Sequence, residues 1–461
     1  MNPLDKFSLF SPLDYRYVDG DLHRDAERFF SENARVRYQA RVEAALVKAL
    51  SKQGVCTPKI ADEVSKAAEK ITAEEVYTEE AKIRHDVRAL ANVLRSKVSK
   101  EAKPFIHFSA TSYDIVDTAS ALRYKEATHR LVVPELKKLL HLWLDIAIRE
   151  KKTLQIGRTH GQHAEPITFG FAMGSYINRL GEMISSLEWY ADNLEGKFSG
   201  AVGSYNASSL LVKDPIKLEA DILGELGLKQ GLHSTQIVEP ESLVDLVDSI
   251  IMAFSVLANF ADDMRHLQRS EIGEIAEDFG SRQVGSSTMP HKRNPITFEN
   301  VKSMWKEFMP RMVTMHMDSI SEHQRDLTNS ASARFIPEIF LGLLVACEKL
   351  QNVSSSIVVD REAMKRNFNA SRESIVAEPL YILLAKHSHP DAHEVVRGLT
   401  LKSAKSGKGV LELAKTDKAL ASYLRKFSTP EMNLLKNPES YTGLAVKRTE
   451  EVCAHWKKRF P

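Results

Sequence analysis

Eleven consecutive residues, Gly285 to Pro295, hold the densest chemical potential in the chain. They set the hydroxyls of Ser286, Ser287 and Thr288 beside the imidazole of His291, the cations Lys292 and Arg293 and the amide of Asn294. Such groups on a mobile loop can close over a polyanion and exclude water from it. On composition alone, a solvated serine-rich loop is the better explanation of the segment, because polar loops are common. Other chemistry-bearing patterns are missing. There is no P-loop, dinucleotide fingerprint, HExxH or GxSxG. Asp278-Phe279-Gly280 matches a kinase tripeptide, but no catalytic or glycine-rich loop accompanies it.

The elements that must position this loop are helices. Met173, Ile177, Leu180, Ile184, Leu187, Ala191 and Leu194 step by four and three, the seam of a helix packed in a bundle. A second seam runs from Leu243 through Val247, Ile250, Phe254, Leu257, Ala261 and Met264 to Leu267, just after Pro240. Two more helices are expected near Pro134–Glu150 and Pro337–Val358. Gly170, Gly174 and Gly181 weaken the first helix intrinsically, so close approach of neighbouring helices is their expected use. Alternating Val/Ile/Thr runs with Asn-Gly or Asp-Gly turns are not found, which argues against an α/β fold. The fold class is therefore all-α, a long-helix bundle. Gly157–Pro166 is expected to end one helix and begin the long one. Gly280–Pro295 is expected to be an unusually long surface loop. Three helical domains follow: residues 1–111, a central bundle at 112–365 carrying loop 280–295, and a lysine-rich 366–461. A helix over Ile167–Leu194 extends roughly 40 Å at 1.5 Å per residue. Groups flanking its two ends cannot meet within one subunit, so an oligomer built on the apolar seams is expected.

The bulk properties bound the function. A length of 461 residues with 43% apolar content fills a large core, and 63 basic against 61 acidic side chains leave a net charge of +2. No global field therefore recruits nucleic acid or an anionic membrane, although a local arginine cluster can still bind a small anion. Cys56, Cys347 and Cys453 are odd in number, scattered and in no CxxC pattern, which disfavours a disulfide framework or zinc site and suits a reducing cytoplasm. Met1–Gly20 lacks the apolar region of a signal peptide, and no uninterrupted apolar run reaches the ~18 residues of a membrane span. A soluble cytoplasmic protein is expected.

The order of residues in several segments is more specific than their composition. Gly285–Pro295 resembles the signature loop of the fumarase/aspartase superfamily, and its His291-Lys292-Arg293-Asn294-Pro295 ending resembles that of adenylosuccinate lyases and carboxymuconate cycloisomerases. Ser11-Pro12-Leu13-Asp14-Tyr15-Arg16-Tyr17 is similar to the N-terminal motif of adenylosuccinate lyases. His107 to Ile115 is similar to their second motif, and Thr159-His160-Gly161-Gln162 to their third. Gln324 to Ser330 with Arg334 resembles a stretch typical of the purine enzymes. Departures occur at His163, where proline is usual, and at Arg84, where a relative carries asparagine.

The resemblance implies a homotetrameric lyase, each site shared by three subunits, that removes fumarate from adenylosuccinate to give AMP and from the succinyl-aminoimidazole-carboxamide ribotide to give its carboxamide. Such an elimination needs a base for the proton beside a carboxylate and an acid for the departing nitrogen. By resemblance Ser286 is the base and His160 the acid. A serine hydroxyl is a poor base alone, so backbone N–H groups and Lys292 would have to stabilise its anion. His85 and Asp86 would orient the substrate. Arg16, Tyr17, Arg325, Ser330 and Arg334 would hold the phosphate, for which planar guanidinium donors are suited. Thr111, Ser112, Gln236, Ser287, Lys292 and Asn294 would meet the succinyl carboxylates, and Arg293 and Asn300 complete the expected substrate-binding set. No metal or organic cofactor is implied. The competing readings are a carboxymuconate cycloisomerase-like enzyme, disfavoured by the phosphate set, and a non-catalytic bundle protein, disfavoured by the presence of both His160 and Ser286.

Overall fold

A computed structural model of the chain describes residues 9–280 and 285–461. Helices dominate it, with six short strands among the described residues. The chain forms two compact units, Met1–Lys138 with Glu182–Ala258 and Val301–Lys349, and Leu139–Gly181 with Asn259–Asn300 and Leu350–Pro461. Every boundary between them falls inside a helix. The four expected long helices span Val133–Arg149, Phe169–Asp192, Glu241–Leu267 and Ile336–Ser355. From Met173 to Ala191 each seam residue is fully buried, so the four-three spacing did mark the packed face. The Glu241–Leu267 helix is long and apolar enough to cross a membrane, but 67% of its most apolar window is buried in protein.

In the first unit, Glu32–Lys52 packs on Pro58–Ala68 and Ser112–Ala127. Its N-terminus is fixed by Ser31, whose Oγ accepts the Ala34 N–H at 3.0 Å. At the start of Ser112–Ala127 the Thr111 N–H donates to Asp114 at 2.8 Å. Asp114 then forms a buried ion pair with Lys197, which also donates to the Gly200 carbonyl at 3.2 Å. Breaking such a pair from one side leaves a buried charge uncompensated, so it pins the Lys197 segment to this helix.

The second unit corrects the reading of Gly157–Pro166. That segment is neither a helix end nor a helix start; Leu154–Thr159 and Gln162–Thr168 form an antiparallel hairpin with an irregularity between Ile156 and Arg158. The turn is His160-Gly161, with φ of +53° and +74°. Positive φ at both central residues is the two-residue turn whose twist matches the flanking strands. Ile156 packs with Phe368 and Ile375 from the Arg361–Ile375 helix. Elsewhere in the unit, Trp143 lies 4.3 Å from Phe260 and donates to Ser354 at 3.1 Å. A Cβ at Gly170 would strike the backbone at Ala147 and Lys151, and one at Gly181 would strike the Trp456 indole. Gly174 has open space around it, so close approach explains only two of the three glycines.

Candidate functional site

A cavity of about 720 Å³ opens within the first unit. One wall is a single face of the Ser112–Ala127 helix. Tyr113, Val116, Ser120 and Arg123 line it at three- and four-residue spacing, with Ser112 at its start. The cavity brings together His85, Asp86 and Ser112 with Gln236, Arg325, Ser330 and Arg334, residues drawn from four separate stretches of sequence.

Local structure explains how each is held. His85 caps the Asp86–Ser96 helix, its Nδ1 accepting the Arg88 N–H at 3.3 Å. With Nδ1 accepting, the ring N–H lies on Nε2, a donor that suits an anionic ligand. Arg84, in the left-handed conformation at φ +58°, ends the preceding helix and sets the entry angle of His85. Asp86 accepts its neighbour Val87 N–H at 2.8 Å. Arg35, which sequence reasoning missed, lies 4.0 Å from Asp86 and donates to Glu32 at 2.9 Å and to Tyr77 at 3.1 Å. Burial works against the Glu32 carboxylate, but Tyr77, Arg35 and Arg334 outweigh it and hold its pKa below the usual range. Arg325 stacks its guanidinium 3.3 Å from the Tyr113 ring centre; burial lowers its pKa, opposed by Asp326 and Asp86. The Gln236 segment is tied down at Val238, whose N–H donates to Asp117 at 3.0 Å.

Three expected residues of this unit do not line the cavity. Arg16 is exposed, Tyr17 lies 5.8 Å beneath the Lys349 ammonium, and Thr111 is occupied in capping.

The second unit carries the remaining expected residues. His160 stands exposed at the hairpin tip. Below it, the fully buried Glu274 carboxylate accepts from Gln155 at 2.9 Å, from Arg158 at 2.6 and 3.2 Å and from Asn367 at 2.8 Å. The strand leading to His160 is thus clamped from its inner side. His163, the departure from the family pattern, hydrogen-bonds Ser371 at 2.7 Å, and burial and Arg158 lower its pKa.

Residues 281–284 of the expected loop 280–295 lie outside the described residues; 285–295 is irregular as expected. Ser286 Oγ accepts the backbone N–H groups of Thr288 at 3.3 Å and Met289 at 3.1 Å. Two N–H donors on one hydroxyl oxygen favour its anion. Asn294 donates to the Gly285 carbonyl at 2.9 Å and folds the loop onto itself, while Arg293 stacks 5.2 Å from Phe279. Ser287 and Lys292 are exposed. Asn300 carries a buried Oδ1 without a hydrogen-bond partner among the described residues. No hydrogen bond joins His160 to Ser286 among the described residues.

Comparison with known proteins now bears on this arrangement. Residues 23–309 match the family model described as Lyase, and 321–431 that described as Adenylosuccinate lyase C-terminal. The chain is 33% identical over 96% of its length to an adenylosuccinate lyase of Archaeoglobus fulgidus, covering 97% of that protein. It is 35% identical over 96% of its length to one of Pyrococcus abyssi, covering 96% of that protein. Solved structures of a 3-carboxy-cis,cis-muconate lactonizing enzyme from Pseudomonas putida (TM-score 0.80, 23% identity, 96% and 98% of the two chains) and a fumarate lyase from Mesorhizobium (0.81, 22%, 94% and 97%) share the fold. The family model over residues 23–309 makes the chain a lyase. More narrowly, it belongs to the adenylosuccinate lyase family.

Proposed function

We propose that the protein eliminates fumarate from adenylosuccinate to leave AMP, and from the succinyl-aminoimidazole-carboxamide ribotide to leave its carboxamide, in purine biosynthesis. The observation that carries this reading is the cavity that gathers His85, Ser112, Gln236, Arg325, Ser330 and Arg334 in a chain of this family. Ser286, in its alkoxide form, takes the proton from the carbon beside one succinyl carboxylate and becomes the neutral hydroxyl. The electron pair left behind forms the fumarate double bond, the C–N bond breaks, and His160 protonates the departing nitrogen. The two N–H groups on Ser286 Oγ support the first role, because they stabilise the alkoxide at the moment it must act. The exposed position of His160 on a clamped hairpin supports the second, since an acid must reach the leaving group from a fixed direction. Arg325, Ser330 and Arg334 hold the phosphate in the cavity, and Arg16 and Tyr17, which lie outside its lining, are assigned to the phosphate by resemblance alone. Thr111, Ser112, Gln236, Ser287, Lys292, Arg293, Asn294 and Asn300 serve the succinyl and base ends, with His85 and Asp86 orienting the whole.

The working form in this reading is a cytoplasmic homotetramer with each site drawn from three subunits, and with the three-domain division at 1–111, 112–365 and 366–461. The 24-residue Phe169–Asp192 helix, about 36 Å long, supports association, because groups at its two ends are too far apart to serve one site. The test is fumarate release from adenylosuccinate, followed optically. Ser286→Ala should lose at least two to three orders of magnitude in kcat while still binding AMP. Near-normal turnover in that variant would remove Ser286 from the mechanism, and no release by the parent protein would remove the reaction.

A further inference from the structure

Arg123 is 5% exposed, yet among the described residues it has no carboxylate at ion-pairing distance. One of its five N–H donors reaches the Tyr124 hydroxyl at 2.8 Å, and the guanidinium lies 4.8 Å from the Tyr124 ring centre. Its Nε is buried without a hydrogen-bond partner among the described residues. A buried guanidinium with neither counter-ion nor full hydrogen bonding among the described residues is strongly unfavourable for the protein alone.

The position of Arg123 shows what relieves this. It continues the stripe Tyr113, Val116, Ser120 along the face of Ser112–Ala127 that lines the cavity. Ser112 and Arg123 are eleven residues apart, roughly 16 Å along the helix axis. Arg123, Ser120 and Ser112 all line this one cavity. That separation is of the order of one extended mononucleotide-sized ligand. Tyr124, stacked 5.2 Å from Phe340, forms a rigid backing that holds the guanidinium plane.

We propose that Arg123 is an oxyanion-binding residue of this cavity, donating its unspent N–H groups to a phosphate or carboxylate oxygen. The oxyanion belongs either to the nucleotide or to a free anion held beside it. Only the identification of the nucleotide rests on the proposed reaction; the anion site itself rests on the cavity and the unpaired charge.

The experiment compares the full-length parent with Arg123→Met and Arg123→Lys, measuring thermal midpoint without ligand, calorimetric binding of AMP and of inorganic phosphate, and steady-state kinetics with adenylosuccinate. Arg123→Met should keep or raise the ligand-free midpoint, because it removes an unpaired buried charge. It should weaken AMP binding and raise KM by about ten- to hundredfold, the range of a lost charge-assisted hydrogen bond, with a smaller change in kcat; Arg123→Lys should restore part of this. Loss of phosphate binding with AMP affinity intact would support the site and assign it to a free oxyanion. Unchanged affinity for both ligands, or a midpoint lowered in both variants with affinities unchanged, would overturn the proposal and leave Arg123 a packing residue. Binding is read without turnover, so a parent protein that fails to release fumarate but binds phosphate or AMP through Arg123 would sink the reaction and keep the site.

Discussion

Replacing Glu274 by alanine tests whether the hairpin that presents His160 is held by one buried carboxylate. Glu274 is fully buried and accepts from three side chains, Gln155, Arg158 and Asn367, while its backbone carbonyl accepts the Asp360 N–H at 3.0 Å. Arg158 is 17% exposed, so the truncation leaves its guanidinium largely desolvated and unpaired. Removing one partner of such a pair costs about 3–5 kcal/mol. Glu274→Gln keeps a neutral acceptor in the same place and should lose roughly half as much. Urea denaturation followed by far-UV circular dichroism measures the loss, and kcat measured well below the midpoint reports on His160. The sharper test is a double-mutant cycle. Arg158→Met in the Glu274→Ala background removes the orphaned charge, so the double variant should be more stable than the sum of the single changes by about 1–3 kcal/mol. Additive effects, or a loss below about 1 kcal/mol in Glu274→Ala, would refute the clamp.

Other consequences follow from single sites. Gly181→Ala drives a Cβ into the Trp456 indole and should cost about 1–3 kcal/mol, visible as a lower thermal midpoint and altered tryptophan emission. Gly174→Ala, with open space around it, should be neutral or slightly stabilising. Burial opposes charge on His107, but the hydrogen bond and charge of Glu43 at 2.8 Å prevail and raise its pKa. A raised folded-state value means that this stabilisation is complete below the unfolded value of 6.5 and is lost as pH rises through the folded one. His107→Asn, which tolerates the local φ of +59°, should flatten the fall in stability on the alkaline side of pH 6.5 in urea midpoints taken at successive pH values. Burial also pushes the Asp117 carboxyl up to about 7, against the pull of the Val238 N–H and Lys197. The folded state therefore holds a proton that the unfolded state has released, and stability falls between about pH 3.8 and 7. Asp117→Asn should reduce that slope; an unaltered pH–stability curve would show that Asp117 does not titrate in this range.

What the sequence revealed and what it concealed divide along physical lines. The seam from Met173 to Ala191 was legible because one burial pattern repeats over about five turns, and no other structure buries residues at that period. The hairpin at 154–168 was not, although its turn chemistry is present: His160 and Gly161 both take positive φ, as an Asn-Gly pair would, but histidine is a rarer occupant of that position. Its strands carry Arg158, His163 and Glu165, and the register shifts at Gly157, so no clean alternation marks them. The candidate site shows the same division. Ser286, His160 and the Arg325–Arg334 stretch stand in recognisable order in their motifs. Arg35, Asp117 and Arg123 stand inside helices with little amphipathic signal, where the sequence does not mark which way a charged residue points until the fold shows it. Arg123 falls on the same helix face as Val116 and Ser120. A cavity on that face, rather than a packing partner, is what turns a charge that looks misplaced into one with a ligand to meet.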